Sequence, residues 1–419
     1  MLAAFTLLLT AAACAHLFLQ GFNRVVISIP DGPHKKPAWA AWFAVSTLLP
    51  LSLLMVFFDA EPVQQALHLS PGSAPAWALF LPLLALWSFG AWRLAAWLRW
   101  RLRRTEPSPA IVRQTARVAN LPRPESWLHR PLQRWETTFD LEVVERELLV
   151  PGLDPVFDGF VLAHVADLHY ESADGRTEWF AEVTRLVNAM RADVVVFTGD
   201  FVNRGSLIDE SVRLHATMRG RLATLAVMGN HDYWTNPRTV REACRRARIR
   251  TLHHRRTTIE RGPSRLTFTG TDMPWGGHSS HLPALLHREP GETLILLSHS
   301  PDNAPVAARA GASLVLSGHN HGGQYRLPLI GPLVVPSRTG LRFDGGVYQL
   351  NRGACVLHVS RGVGASGRGR ILCPPEIVRL VLRSPQSPAS SEKDGKPACA
   401  DERSGSVLTA SPQGFAPIS

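Results

Sequence analysis

Ser313-Leu314-Val315-Leu316-Ser317-Gly318-His319-Asn320-His321-Gly322-Gly323 is the stretch on which the reading of this 419-residue chain turns. Its opening residues, Ser313 to Leu316, form a short apolar run of the kind a buried strand makes. The run stops at once in a polar loop. Two histidines at i and i+2 on a loop can face one cluster, and the glycines beside them allow close approach.

The same pattern recurs on either side of this stretch. Phe160 to Ala166 ends in Asp167-Leu168-His169. Asp193 to Thr198 ends in Gly199-Asp200-Phe201-Val202-Asn203, and Leu222 to Met228 ends in Gly229-Asn230-His231-Asp232. Leu294 to Leu297 leads into Ser298-His299-Ser300. Helical spacing over Glu178 to Met190, Ser211 to Met218 and Thr239 to Arg248 separates the apolar runs, and Thr138 to Leu149 alternates like a further strand. Buried strands alternating with amphipathic helices predict an α/β layered fold. Ligands gather at the carboxyl ends of strands in such sheets, so five endings can converge on one site. An Asp-x-His or a Gly-Asp after a strand is commonplace alone, and the weight lies in five such endings in order.

The donors offered are carboxylate, imidazole and amide oxygen, a set suited to borderline divalent ions such as Mn, Fe or Zn. The five cysteines (Cys14, Cys244, Cys355, Cys373 and Cys399) are odd in number and form no CxxC pair. That argues against a disulfide framework and against a zinc–thiolate site.

Together the motifs resemble the calcineurin-like metallophosphoesterase superfamily over roughly residues 160–382, with no motif position missing. The resemblance implies an α/β fold built as a β-sandwich flanked by helices (four layers, α/β/β/α) around two divalent metal ions. By that resemblance one metal takes Asp167, His169, Asp200 and His321. The other takes Asp200, Asn230, His299 and His319, with Asp200 bridging. Two cations so held can clamp a phosphate and share a hydroxide. His231 is implied as the group that stabilises the transition state or protonates the leaving oxygen. Asp232 either orients His231 or caps a following helix. Asn203 either touches substrate or caps a turn. His253, His254, His278 and His281 fall outside the motif positions.

The segments Gly323 to Pro328, Gly340 to Gly346 and Val359 to Gly364 are similar to a membrane-associated bacterial branch of this superfamily. That branch includes UDP-2,3-diacylglucosamine pyrophosphatases and transmembrane metallophosphoesterases. Arg326, Arg338, Arg342 and Arg361 are there either to bind a pyrophosphate or anionic headgroup or as ordinary surface arginines.

The N-terminal third differs in composition. Three apolar segments, Leu2 to Phe22, Ala38 to Phe58 and Ala74 to Trp92, approach the roughly 20 residues that span a bilayer. Arg24, Lys35 and Lys36 follow the first. Asp59 and Glu61 follow the second, and Arg93, Arg99, Arg101, Arg103 and Arg104 follow the third. The positive-inside rule then places the chain start outside and everything after Arg99 in the cytoplasm. A signal peptide would carry a basic start, which the first segment lacks. The expected organisation is a membrane region over 1–98 and a basic, proline-dotted linker over 99–138. A metallophosphoesterase domain over 139–383 and a disordered tail over 384–419 complete it.

The net charge of +11, from 45 Lys+Arg against 34 Asp+Glu, fits nucleic acid, an anionic membrane surface or acidic substrates. It fits equally the cytoplasmic charge of a membrane protein. No basic helix with interleaved aromatics appears, which disfavours a nucleic-acid partner, and no obligate protein partner is evident. The leading expectation is hydrolysis of a phosphoester or pyrophosphate on a lipid-linked or nucleotide-sugar substrate such as UDP-2,3-diacylglucosamine, at the inner membrane. A nuclease and a non-catalytic membrane-bound binding protein are the alternatives.

Overall fold

The chain divides into two units, Met1–Pro107 and Ser108–Ser419. The computed structural model describes residues 110–118, 133–171, 176–271, 282–328, 331–332, 335–365, 369–386 and 406–408, together with Pro37. The three apolar segments lie outside the described residues. Among the described residues no helix is long and apolar enough to cross a membrane.

Sixteen strands are described: β1 Ala110–Val118, β2 Glu142–Leu149, β3 Phe160–Val165, β4 Val194–Phe197, β5 Ala223–Ala226, β6 Arg250–Thr251, β7 Arg256–Arg261, β8 Ser264–Thr271, β9 Glu292–Ser298, β10 Leu314–Ser317, β11 Arg326–Leu327, β12 Gly331–Pro332, β13 Gly346–Leu350, β14 Cys355–Val359, β15 Glu376–Arg383 and β16 Ser406–Leu408. The helices used below are α1 Arg176–Ala189, α2 Ile208–His215, α3 Asn230–Thr235, α4 Pro237–Arg246, α5 Leu282–Leu285 and α6 Ala304–Arg309. One sheet runs β16-β1-β2-β15-β3-β4-β5-β6, the second β13-β14-β10-β9-β8-β7, and β11 pairs with β12 as a separate hairpin.

Period-two alternation decides how these sheets stack. On β4, Val195 and Phe197 face one apolar cluster with Val183 and Val187 of α1, Val212 of α2 and Val240 of α4. Val194 and Val196 face the opposite way, into a cluster shared with Ile295 and Leu297 of β9 and Leu314 and Leu316 of β10. The other faces of β9 and β10, through Leu294, Leu296 and Val315, pack on Leu282 of α5 and Ala304 and Ala307 of α6. Three apolar interfaces thus separate helix, sheet, sheet and helix. Strands with both faces covered must be apolar throughout, which is why β4 reads Val-Val-Val-Phe.

Two strands lie inside the stretches read from sequence as linker and tail. The stretch read as a plain linker supplies β1, which pairs antiparallel with β2. Its alternation lies between Pro109 and Pro122, and those prolines mask it. Within the expected disordered tail, Ser406–Leu408 pairs parallel with β1.

One interior charge network joins the starts of β2 and β15 to the loop after β14. Arg361 Nη2 donates to Glu142 Oε2 at 2.6 Å and lies 2.7 Å from Glu376 Oε2. Burial pushes the Glu376 carboxyl up, but Arg361 and Arg146 outweigh it and hold the group down at about 2. Arg361 is therefore held as a structural cation, unlike either alternative read from sequence, anion ligand or surface arginine. Removing one partner of a buried pair leaves an uncompensated charge, which costs about 3–5 kcal/mol. Arg361→Met is expected to lower unfolding stability by about that amount, read as a shifted urea midpoint at unchanged slope.

Candidate metal centre

The five loops meet at one end of the two facing sheets, tied to each other through the backbone. Asp167 N–H donates to Gly199 O at 3.1 Å, His169 N–H to Asp200 O at 2.9 Å, Gly318 N–H to His299 O at 3.0 Å and Gly364 N–H to Asp167 O at 2.7 Å. A Cβ on Gly229 would stand 2.1 Å from Asp200 Oδ1, and one on Gly318 would stand 2.4 Å from Asp167 Oδ2. Only glycine admits such approach. Asp167, His169, Asp200, His319 and His321 all hold positive φ, between 43° and 69°. Non-glycine residues in that region cost on the order of 1–3 kcal/mol each and persist where the surroundings over-determine them.

Three groups of ligand atoms come together, each within 4.8 Å: Asp167 with His169 and His321; His169 with Asp200 and His231; and Asp200 with His299 and His319. Asn230 joins the third, its Oδ1 lying 3.0 Å from His299 Nε2. Asp200 stands between the groups. Its Oδ2 lies 3.3 Å from His299 Nε2 and 3.5 Å from His169 Nε2, while its Oδ1 accepts from His231 N–H at 2.8 Å. All seven residues named as ligands are buried.

Tautomers show whether the donors fit a cation. His299 Nδ1 donates to the Thr198 carbonyl at 2.7 Å, and His319 Nε2 donates to the Pro336 carbonyl. Their remaining nitrogens, His299 Nε2 and His319 Nδ1, face each other at 3.0 Å, beside the Asn230 and Asp200 oxygens. Four lone pairs converge with no hydrogen among them, unless His299 takes a second proton. That is a seat for a positive charge. In the first group His169 Nδ1 donates to Asn203 Oδ1 at 2.8 Å, which aims Nε2 inward. There His321 Nε2 lies 3.0 Å from His169 Nε2, and Arg370 Nη2 stands 3.3 Å behind His321 Nδ1.

Crowding of the donors shifts their ionisation. Burial pulls the His299 imidazole down, but Asp200 and Asp167 reverse this and hold it up at about 9. Burial and the Asp200 charge push Asp167 up to about 7. His169 is driven down to about 3 by burial and by His231. A cation must displace the His299 and Asp167 protons, so affinity rises as pH rises toward 9.

Among the residues of the three groups His231 is the one that is only half-buried. Its ring lies 4.5 Å from that of His169 and 4.5 Å from that of Trp234, which is 50% exposed. Asp232 accepts from Asp200 N–H at 2.8 Å, Phe201 N–H at 2.9 Å and Gly229 N–H at 2.9 Å. It is the third residue of α3 and closes the helix start on Gly229. Those bonds clamp two metal loops together. They supply the helix-start role for Asp232. Half-buried Asn203 fixes the ring of His169 and donates through Nδ2 to Glu171 Oε1 at 3.2 Å. Arg370, fully buried, was not anticipated. It donates to Gly364 O at 2.9 Å, to Arg361 O at 2.7 Å and to His321 O at 3.3 Å. No motif flags it, since a buried arginine looks like a surface one in sequence. Of the four histidines singled out from sequence as lying outside the motif positions, His253 and His254 lie with tilted rings 4.6 Å apart and belong to none of the three groups. His278 and His281 lie outside the described residues.

With this geometry in view, the comparisons agree. The model of the calcineurin-like phosphoesterase family matches residues 160–323. A metallophosphoesterase of Aquifex aeolicus is 30% identical over 210 residues, covering 48% of this chain and 77% of that protein. The chain belongs to the calcineurin-like metallophosphoesterase family. The phosphodiesterase YaeI of Escherichia coli is 29% identical, over 53% of this chain and 82% of its own. The UDP-2,3-diacylglucosamine pyrophosphatase LpxG of Chlamydia muridarum is 24% identical, over 52% and 82%. As a family member the chain is a metal-dependent phosphoester hydrolase.

Two outcomes are expected of metal titrations on the stripped protein. Mn²⁺ binding at pH 7.5 should release protons, seen as a calorimetric heat that changes with the buffer's ionisation enthalpy, and apparent affinity should grow between pH 7 and 9. Asn203→Ala, which frees the His169 ring, should weaken Mn²⁺ binding about 10- to 100-fold with the fold intact by circular dichroism.

Proposed function

We propose that this metallophosphoesterase holds two divalent ions and cleaves a phosphodiester or pyrophosphate in an amphiphilic substrate at a membrane surface. The substrate is a lipid-linked or nucleotide-sugar phosphate of the UDP-2,3-diacylglucosamine kind. The observation that carries the two-ion reading is Asp200 Oδ2, placed between His299 and His169 and so shared by both donor sets. Asp167, His169, Asp200 and His321 would hold one ion, and Asp200, Asn230, His299 and His319 the other. When bound, the ions supply Lewis-acid polarisation of phosphoryl oxygens and a water of lowered pKa.

The protein's own groups do the rest. His231 reaches solvent beside the donor sets, so it meets the substrate phosphate and hands a proton to the leaving oxygen. Asp232 and the left-handed loop residues hold the donors so that little reorganisation is needed as charge develops. Trp234 offers an exposed aromatic face next to His231, fit to lie against a base or an acyl chain. The three apolar segments of the sequence support the membrane setting: an amphiphile partitions into the bilayer beside its enzyme.

Purified full-length protein with Mn²⁺ should turn over bis-p-nitrophenyl phosphate. Asp200→Ala and His231→Ala should each lower kcat at least about 100-fold, while His231→Ala should leave Mn²⁺ stoichiometry at two. Losses below tenfold would refute these roles. For topology, a cysteine placed near residue 105 should resist a membrane-impermeant maleimide applied to intact cells.

A further inference from the structure

The hairpin of β11 and β12 has its polarity reversed. On an exposed two-stranded ribbon the charged side chain normally meets water and the apolar ones face protein. Here Arg326 turns inward, donating to Gly322 O at 2.6 Å and to Asp344 Oδ2 at 3.3 Å. Its neighbours Tyr325 and Leu327 turn outward and are 39% and 43% exposed, and Pro328 is exposed after them. From Tyr325 to Pro336 the sequence is Tyr-Arg-Leu-Pro-Leu-Ile-Gly-Pro-Leu-Val-Val-Pro, and Arg326 is its sole charge.

Both roots of this hairpin stand on the metal centre. Its first strand follows His321 by five residues, and Pro332 of its second strand packs against Gly323, where a Cβ would lie 2.1 Å from Pro332 Cβ. Past the second strand, the Pro336 carbonyl accepts from His319 Nε2. The segment beyond carries Arg338 and Arg342, both exposed.

We propose that this hairpin docks onto an anionic bilayer, seating Tyr325, Leu327 and Pro328 among the headgroups while Arg338 and Arg342 meet lipid phosphates. Outward apolar side chains on the hairpin, followed along the chain by exposed arginines, are complementary to such an interface. Its roots on the strands around His319 and His321 then set the metal centre at headgroup height. The inference rests on the membrane-surface reading above and adds where the domain touches the lipid.

The test uses full-length protein with Cys14→Ser, Cys399→Ser and Leu327→Cys, labelled with an environment-sensitive dye and reconstituted in vesicles. Vesicles are neutral phosphatidylcholine alone or with about one-third phosphatidylglycerol. A second label at Leu222, 55% exposed and at the opposite end of β5 from the metal loops, is the control. The Leu327 label should be quenched by lipids brominated near the headgroup, more strongly with phosphatidylglycerol, and the Leu222 label should not. Equal quenching in both vesicles would overturn the role of the arginines. Quenching by aqueous iodide alone would overturn docking. Shielding from iodide in detergent without vesicles would assign the patch to a second copy of the chain. Tyr325→Ser with Leu327→Ser should raise KM at least about tenfold for a vesicle-embedded phosphodiester and leave turnover of soluble bis-p-nitrophenyl phosphate within twofold. An equal loss on both substrates would overturn docking. Absence of soluble turnover in the parent would instead strike at the hydrolase reading.

Discussion

Everything around the site answers to one electrostatic problem: carboxylate, amide and imidazole lone pairs are buried facing each other with few protons between them. Such a cluster repels itself unless a cation or borrowed protons occupy its middle. The fold therefore has to force it. Five of the donors sit in left-handed backbone, glycines admit the loops to contact, and amide bonds lace each loop to the next. The two sheets supply the rigidity, because strands packed on both faces cannot shift by a fraction of an ångström without losing contacts. Stability of the layers and readiness of the site are the same property seen at two depths.

Sequence exposed the donors well and their supports badly. Asp167, His169, Asp200, Asn230, His299, His319 and His321 stand at strand ends in order, and the structure brings all seven together. Short apolar runs and polar loop ends are local features, and local features survive in a linear reading. Supports are non-local. Asn203 matters because it lies beside His169, 34 residues away. Arg370 matters because the chain folds it under His321, and Arg361 turns inward because Glu142 and Glu376 meet it there. No spacing rule encodes those partners. Similarly β1 hides between prolines, since its partner β2 is what makes its alternation meaningful.

The interior also holds a pair that neither spacing nor composition suggested. His164 of β3 and His358 of β14 point into the space between the sheets, their Nδ1 atoms 2.9 Å apart. His164 Nε2 reaches Thr198 Oγ1 at 3.0 Å, and the Thr198 carbonyl in turn receives the His299 proton. Burial keeps His164 down at about 4, so it stays neutral in the physiological range. A neutral polar seam thus runs from the middle of the sandwich to the back of the metal centre. It fixes which way the Thr198 hydroxyl points without adding charge to an already crowded site.

The place of β15 carries a consequence for how the protein is made. Glu376–Arg383 lies between β2 and β3, parallel to one and antiparallel to the other. A nascent chain that has emerged only to the last metal-binding histidine therefore has a split first sheet, with β2 and β3 unable to meet. Glu376 also brings the counter-charge that lets Arg361 lie inside, and its N–H bonds Gly362 O at 2.9 Å. All donors can be outside the ribosome while the frame that aligns them is still being translated. Synthesis order thus ties the alignment of the donors to the emergence of β15.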